Sequence, residues 1–171
     1  MPRTTTPTRW LNPAQQRAWR AFLLGSTRLF EQLERDLREA HGLSLPEYEI
    51  LVRLSESPER SLRMAELASS VSHSRSRVTH TVSRLEAAGL VARSGCLTDG
   101  RGVLATMTDE GYARLVEAAP THVAGVRRYL VDVVDADDLD AAGRVFDAAA
   151  RGLDPQCADA ELGTQSRVSR R

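Results

Sequence analysis

Lysine is absent from this 171-residue chain, and all 23 basic residues are arginine. Each basic contact therefore uses a planar guanidinium, which can form two parallel hydrogen bonds to a phosphate or a base edge. Cysteine occurs only twice, as Cys96 and Cys157, far apart and in no shared short motif. We therefore expect no disulfide framework of the kind that holds small secreted domains together.

Long hydrophobic runs are missing as well. No stretch of 18 apolar residues occurs, and the N-terminal segment MPRTTTPTR lacks the apolar region of a signal peptide. We expect a cytoplasmic protein without a membrane partner.

Motifs that carry catalytic or metal chemistry are also scarce. The chain has no Gly-rich phosphate loop and no Gly-x-Ser-x-Gly element. His73 and His80 are seven residues apart, which on one helix separates them by about 10 Å, too far to share a zinc ion. The acidic run at 135–140 lacks the spaced ligands and the glycine of a calcium loop. We predict that the chain is not an enzyme and uses no metal or other cofactor.

Residues 64–87 carry two short amphipathic helical patterns separated by a polar break. The apolar positions of the first repeat at i, i+3, i+4 and i+7, the spacing of one helix face; they are Met64, Leu67, Ala68 and Val71. Ser74 can cap a second helix, which we predict from Arg75 to about Ala87. Opposite its apolar positions this helix has Ser, Arg, Thr and His side chains and no acid before Glu86. A few arginines on one helix most often mark a solvated surface, so this face indicates a ligand only together with its neighbours.

A two-strand hairpin is predicted after the second helix. Gly89 occupies the position favoured for a left-handed residue at a helix end, and residues 90–93 and 103–107 have short strand patterns. Between them, Asp99-Gly100-Arg101-Gly102 supplies hairpin-turn residues, which predicts Arg101 at the tip. Cys96 lies in the same hairpin, and both a plain strand role and a redox role stay open for it.

Two helices followed by a hairpin are the parts of a winged helix-turn-helix, whose second helix fits the major groove of DNA, about 12 Å wide. An arginine at the tip of the wing can enter the minor groove. The charge distribution supports this interpretation, since residues 61–107 hold six arginines against three acids and residues 108–155 hold five against ten. A basic part joined to an acidic part suits a protein that touches phosphates with one surface only.

The run MAELASSVSHSRSRVTHTVSRLEAAGLV, followed by TDGRG and TMTDEGYARL, resembles the MarR family of bacterial transcriptional regulators. Residues 43–54, LSLPEYEILVRL, are similar to the preceding helix of that family, and the resemblance covers about residues 10–150. The turn Ser72-His73-Ser74 departs from the family, which usually has Gly-Leu-Ser there. The resemblance implies a mainly α fold, with a winged helix-turn-helix lobe (three-helix core and two-strand wing) and N- and C-terminal helices that form an all-helical dimerisation region.

The chain divides accordingly into four parts. We predict a flexible N-terminus at 1–11, dimerisation helices at 12–42 and 108–154, a winged-helix DNA-binding domain at 43–107 and a disordered tail at 155–171. Asn12 and Pro13 are typical of the start of the first helix, and Thr108 of the cap of the helix after the wing. The helices have more apolar surface than one winged-helix lobe can cover, which favours a homodimer.

We therefore predict a transcriptional repressor that binds double-stranded DNA as a homodimer, at pseudo-palindromic half-sites about one helical turn apart. Base edges are assigned to Arg75, Ser76, Arg77 and His80. Phosphates are assigned to Ser74, Thr79 and Arg84, and the minor groove to Arg101. The alternative is a winged-helix adaptor for protein interaction without physiological DNA binding, although an adaptor would not need arginines on both the helix face and the wing tip.

The family resemblance also implies a pocket for a small effector, often phenolic or anionic, between the dimerisation helices and the winged lobe. The aromatic residues predicted to line it are Trp19, Phe30, Tyr48 and Tyr112. Aromatic side chains at helical spacing fit plain core packing equally well. Such an effector releases DNA only if it binds the DNA-incompetent arrangement more tightly.

Overall fold

The computed structural model of the chain describes residues 7–71, 74–95 and 102–153. The α-helices are α1 Pro13–His41, α2 Leu45–Glu56, α3 Met64–Ser70, α4 Arg75–Ala87, α5 Asp109–Tyr129 and α6 Ala136–Leu153. The strands are β1 Ser61–Arg63, β2 Val91–Gly95 and β3 Val103–Met107, and short 3-10 turns lie at Pro58–Arg60 and Val131–Val133. The predictions made for Cys96, Arg101 and the tail from residue 155 lie outside the described residues.

Local capping signals set the ends of the helices. Asn12 accepts a hydrogen bond from the amide of Gln15, whose side chain accepts one from the amide of Asn12, both at 2.9 Å. The helix that follows begins at Pro13, as predicted. Gly89 adopts the left-handed conformation with φ 73°, and the amide of Leu90 returns to the carbonyl of Leu85 at 2.9 Å, which ends α4 in a Schellman motif. The predicted bounds of α4 are confirmed.

The hydrophobic core lies where α2, α3 and α4 pack against the sheet and against parts of α1 and α5. Its largest fully buried side chains are Leu37, Ile50, Leu51, Leu54, Leu67, Val78, Val82, Leu85 and Val91. The stripe predicted on α3 contributes Leu67 and Val71 as buried residues, while Met64 and Ala68 are partly buried against the core. A rigid core therefore supports the inner side of α4.

The sheet has three antiparallel strands in the order β1-β3-β2, one more than the predicted hairpin. Strand β2 pairs with β3 so that Val91 lies opposite Met107 and Gly95 opposite Val103. The additional strand β1 is three residues long and places Leu62 opposite Ala105. It ties the chain that precedes α3 to the base of the wing.

Helices α1 and α5 pack along each other. The Tyr129 hydroxyl donates to Asp36 Oδ2 at 2.9 Å, and His41 Nε2 lies 2.7 Å from Thr121 Oγ1. Only Leu33 and Leu37 of α1 are buried. Within the described ranges, no helix combines the length and the apolar character needed to cross a membrane.

Candidate nucleic-acid interface

Helix α4 presents a polar outer face that begins at its cap. Ser74 Oγ accepts a hydrogen bond from the amide of Arg77 at 3.4 Å, as an N-cap residue should. The Thr79 hydroxyl donates to the carbonyl of Arg75 at 2.9 Å. All seven described residues that the sequence assigned to DNA are exposed on this helix and its cap: Ser74, Arg75, Ser76, Arg77, Thr79, His80 and Arg84.

The opposite side of α4 fixes the orientation of that face. Val78, Val82 and Leu85 are buried, as their spacing predicted. Thr81 is buried as well, and its hydroxyl donates to the carbonyl of Arg77 at 2.9 Å, which satisfies it inside the protein. Because the helix cannot rotate without exposing these residues, the outer residues keep a fixed relation to the lobe.

The charge of Arg77 on α4 reaches a carboxylate of α1, Glu34. Glu34 of α1 accepts from the amide of Leu45 at 2.6 Å and also pairs with Arg38. Partial burial acts to raise the pKa of Glu34, but these hydrogen bonds and the nearby charges of Arg38 and Arg77 hold that pKa below its ordinary value. Glu34 is therefore a fixed negative charge within electrostatic reach of Arg77.

Arg84 forms an ion pair that the sequence did not suggest. Its Nη2 lies 3.0 Å from Oε1 of Glu47, a residue of α2 that is only 5% exposed. The pair joins residues 37 positions apart, so no local spacing rule could have revealed it. Reasoning from the sequence did not single out Glu47.

The first wing strand is also held to α4. Arg93 of β2 donates through Nε to Glu86 Oε2 at 2.8 Å. The hydrogen bonds and charge of the Arg93 guanidinium hold the pKa of Glu86 below its usual value. The negative charge of Glu86, the first acid along the polar face of α4, is thus balanced by the guanidinium of Arg93 on the wing. The contact predicted for Arg101 lies outside the described residues.

The four aromatic residues predicted to line an effector pocket lie in different surroundings. Trp19 is half-exposed and its ring lies 5.6 Å from that of Phe22, while Phe30 is largely exposed on the same helix. Tyr48 is buried in the core, with its ring centroid 4.5 Å from that of His122. The ring of Tyr112 is covered by the guanidinium of Arg60 at 3.8 Å. Their common role in a pocket stays a prediction.

An open cleft of about 260 Å³ lies beside the C-terminal end of α4. Its charged and polar lining comes from His41, Glu47, Arg84, Glu110 and Arg114, and its apolar lining from Leu43, Leu85, Ala88 and Leu90, with Gly42 between α1 and α2. In the part of the chain that the structure describes, none of the four predicted aromatic residues lines this cleft. Nor do the described residues contain a group of three or more His, Cys, Asp or Glu side chains that could hold a metal ion.

Comparison with known proteins shows which family this chain resembles in sequence and fold. Residues 41–102 match the sequence profile of the MarR family. Sco3205, a MarR family transcriptional regulator from Streptomyces coelicolor whose crystal structure is a complex with DNA, is 40% identical to this chain. The two structures superpose with a TM-score of 0.85 over 90% of this chain and 96% of that one. This chain belongs to the MarR family.

Two further MarR-like proteins support the assignment. AbsC, another MarR family transcriptional regulator from Streptomyces coelicolor, is 41% identical and superposes with a TM-score of 0.80, covering 85% of this chain and 98% of AbsC. The HTH-type transcriptional repressor Rv2887 of Mycobacterium tuberculosis is 42% identical over 72 residues, 42% of this chain and 50% of the repressor. The matched region thus spans half the length of that relative. MarR family membership makes this chain a transcriptional regulator and not an enzyme.

Proposed function

We propose that this MarR family regulator binds double-stranded DNA sequence-specifically, as a homodimer, and represses transcription from a pseudo-palindromic operator. The observation that carries the proposal is the outer face of α4, where Arg75, Ser76 and His80 are exposed on a helix whose inner side is buried. Reading base edges in the major groove needs hydrogen-bonding side chains on a rigidly held helix. The DNA complex of Sco3205 and the similarity to the mycobacterial repressor Rv2887 support this function.

Contacts within this face divide into two kinds. Base edges are assigned to the residues on the exposed side of the first turns, Arg75, Ser76, Arg77 and His80, with arginine to guanine as the favoured pairing. Phosphates are assigned to the residues at the flanks, Ser74, Thr79 and Arg84, and the minor groove to Arg101 at the wing tip. Phosphate contacts fix the register of the protein, and base contacts select the sequence.

The homodimer is supported by apolar side chains that one chain leaves exposed on α1, on the segment before it and on α6. Trp10, Leu11, Trp19, Leu24, Phe30, Val145, Phe146 and Leu153 are all exposed, Trp10 by 84% and Leu153 by 87%. The rings of Phe22 on α1 and Phe146 on α6 lie 5.2 Å apart, which joins the exposed apolar side chains of the two helices, and an exposed apolar patch is typical of an interaction site. A two-fold dimer through α1 and α6 would place two copies of α4 on successive major grooves on one side of the duplex.

Control by a small effector is the second part of the proposal. Tyr48 is buried in the core and Tyr112 of α5 packs against it, while the polar cleft beside Arg84 is lined in part by Glu110 and Arg114 of the same helix α5. A phenolic or anionic molecule bound between the dimerisation helices and the winged lobe would change the separation of the recognition helices. It relieves repression only by binding the DNA-incompetent separation more tightly. The site of action is the cytoplasm.

Selection of the preferred site from random duplexes tests the function most directly. We expect an inverted repeat with half-site centres about one helical turn apart, or about 10 base pairs. Binding to it should weaken linearly on a plot of log affinity against log salt, with a slope set by the number of phosphates contacted. A protein-interaction adaptor would select no sequence and show no steep salt dependence, and that result would refute the proposal.

A further inference from the structure

The carboxylate of Glu47 lies between the start of α2 and the recognition helix. Its Oε1 pairs with Arg84 Nη2 at 3.0 Å. Its other oxygen, Oε2, accepts from the amide of Ser44 at 2.8 Å and from the hydroxyl of Ser44 at 2.7 Å. A buried carboxylate is stable only when it is paired and hydrogen-bonded, and this one meets both conditions.

The position of this carboxylate is fixed by the helix that carries it. Ser44 is the N-cap of α2, and Glu47 completes its capping box. The N-terminal end of a helix also favours a negative charge. Glu47 cannot swing away from Arg84 without breaking the cap of α2, so the carboxylate is a fixed anchor for the guanidinium.

Arg84 keeps hydrogen-bond donors available for a ligand in this arrangement. Its side chain is 51% exposed although one of its terminal nitrogens contacts Glu47. A guanidinium has five N–H donors in a planar fork, and contact with one carboxylate oxygen leaves donors available. Arg84 also follows His80 by four residues, so both lie on one side of α4. That is the flank where the DNA backbone would pass a helix seated in the groove.

We propose that Glu47 is a positioning residue for DNA binding, which holds the guanidinium of Arg84 ready for a phosphate before the duplex arrives. An arginine side chain without such an anchor loses several freely rotating bonds when it contacts a phosphate. Pre-ordering it removes that loss from the binding step and strengthens binding without a new contact. This inference rests on the proposed DNA-binding function.

A double-mutant cycle tests it, using Glu47→Gln, Arg84→Gln and the double variant on the selected duplex over a range of salt concentrations. Arg84→Gln should weaken binding and lower the salt slope by about one, the loss of one phosphate contact. Glu47→Gln should weaken binding about tenfold, because contacting residues couple by that order of free energy. In the Arg84→Gln background the same change should have no further effect.

Glu56→Gln is the matched control. Glu56 lies on the same helix, is exposed and pairs with Arg53 of that helix at 3.5 Å. The substitution therefore removes the same charge from α2 and leaves the pair between Glu47 and Arg84 intact. It should bind DNA as tightly as the unaltered protein or slightly more tightly. If Glu47→Gln binds more tightly than Glu56→Gln, the carboxylate competes with phosphate and the proposal is wrong. Additive losses in the cycle would overturn it too.

Two measurements establish whether a loss of DNA binding comes from unfolding of a variant or from the loss of the Glu47 contact. Circular dichroism and thermal unfolding establish that each variant is folded, and Glu47→Asp, which keeps the charge but shortens the side chain, replaces Glu47→Gln if the latter unfolds. Glu47→Asp should show the same loss of affinity, because its carboxylate no longer reaches Arg84. If the unaltered protein fails to bind duplex DNA, the proposed function falls. If it binds and the Glu47 variants bind equally well, only this inference falls.

Discussion

Gly111, in the first turn of α5, lies so close to Leu90 that a β-carbon added to it would stand 2.1 Å from the Leu90 carbonyl oxygen. It would also stand 2.9 Å from Cγ of Met107. Thr108 binds both partners of this approach, since its amide donates to the Leu90 carbonyl at 3.1 Å and its hydroxyl accepts from the Gly111 amide at 3.0 Å. The same hydroxyl donates to the carbonyl of Gly89, the residue that ends α4, at 2.8 Å. These hydrogen bonds join the C-terminal end of α4 to the start of α5.

Gly111→Ala should therefore destabilise the protein. The added methyl group meets backbone that cannot move without breaking these bonds, and overpacking of this kind typically costs about 1–3 kcal/mol. Urea unfolding followed by circular dichroism measures the change. Gly143→Ala is the control, because a β-carbon there meets nothing within 4 Å and alanine favours a helix over glycine by about 0.5–1 kcal/mol. Equal stability of the two variants would contradict the close approach.

Glu59 and Arg60 make a second comparison possible, since both adopt left-handed backbone conformations, with φ of 53° and 54°. Glu59 is exposed, so Glu59→Gly should relieve the strain and stabilise the protein by about 0.5 kcal/mol after the flexibility of glycine is subtracted. Arg60 pairs with Asp109 at 3.2 Å and covers the ring of Tyr112.

Arg60→Gly should accordingly give no gain, because the same backbone relief is offset by the loss of a cation–π contact worth about 0.5–1 kcal/mol and of the ion pair. Thermal unfolding of the two variants side by side measures the difference. Similar stabilisation of both would mean that the contacts of Arg60 contribute nothing.

The features that could be predicted from the sequence are those that depend on neighbours along the chain. The bounds of α4 follow from the cap at Ser74, the apolar spacing of Val78 and Val82, and the glycine after its end, all within 16 residues. Strand β1 escaped prediction because Ser61-Leu62-Arg63 has no periodicity of its own and is a strand only through its pairing with β3.

In the candidate site, too, features set by neighbours along the chain were predicted and features set by packing between elements were not. Exposure of the outer residues of α4 follows from helical geometry and was predicted. The pair between Glu47 and Arg84 depends on how α2 packs against α4, which no spacing rule contains. The aromatic residues expected in one pocket have similar chemistry but lie on three different helices, and chemistry alone does not determine their distances.

Stability should depend on pH through His122. Burial lowers the pKa of this imidazole, whose ring centroid lies 4.5 Å from that of Tyr48 and whose Nδ1 has no hydrogen-bond partner among the described residues. Because the unfolded chain binds the proton more tightly, the contribution of His122 is present above its unfolded pKa of about 6.5 and is lost as the pH falls through the lower folded value.

His122→Phe should remove this dependence while keeping a ring beside Tyr48. Urea unfolding at pH 8 and pH 5.5 provides the measurement, since most carboxyl groups titrate below that range. We expect the free energy of unfolding of the unaltered protein to fall more between the two pH values than that of the variant. Parallel losses in both proteins would show that His122 does not carry the effect.

Base and phosphate contacts on α4 should respond differently to truncation. Arg77→Ala should relax the preference at one base pair, with a loss of about 1–3 kcal/mol on the preferred site and little loss on random duplex. Arg84→Ala should weaken both kinds of duplex alike, because phosphates carry no sequence information. Fluorescence anisotropy with the selected and a scrambled duplex distinguishes the two. Equal losses on both duplexes for both variants would show the assignment to be wrong.

Dimerisation should be sensitive to charge on the apolar surface of α6. Val145 is 64% exposed in a single chain, although its side chain is apolar and its helix carries the exposed Phe146. Val145→Asp would bury an unpaired carboxylate if this surface meets a second copy, and such burial is strongly unfavourable. We expect the variant to sediment as a monomer at concentrations where the unaltered protein is a dimer.

Ala65→Asp separates this effect from the addition of charge in general. Ala65 is exposed in the first turn of α3, away from α1 and α6, where an acid is compatible with a helix N-terminus. This variant should keep the mass of a dimer in sedimentation, while Val145→Asp should lose both the dimer and the cooperative binding of two half-sites. Because a lone chain reaches only one half-site, the monomer should retain weak, salt-dependent affinity for DNA. A dimeric Val145→Asp would place the interface on another surface.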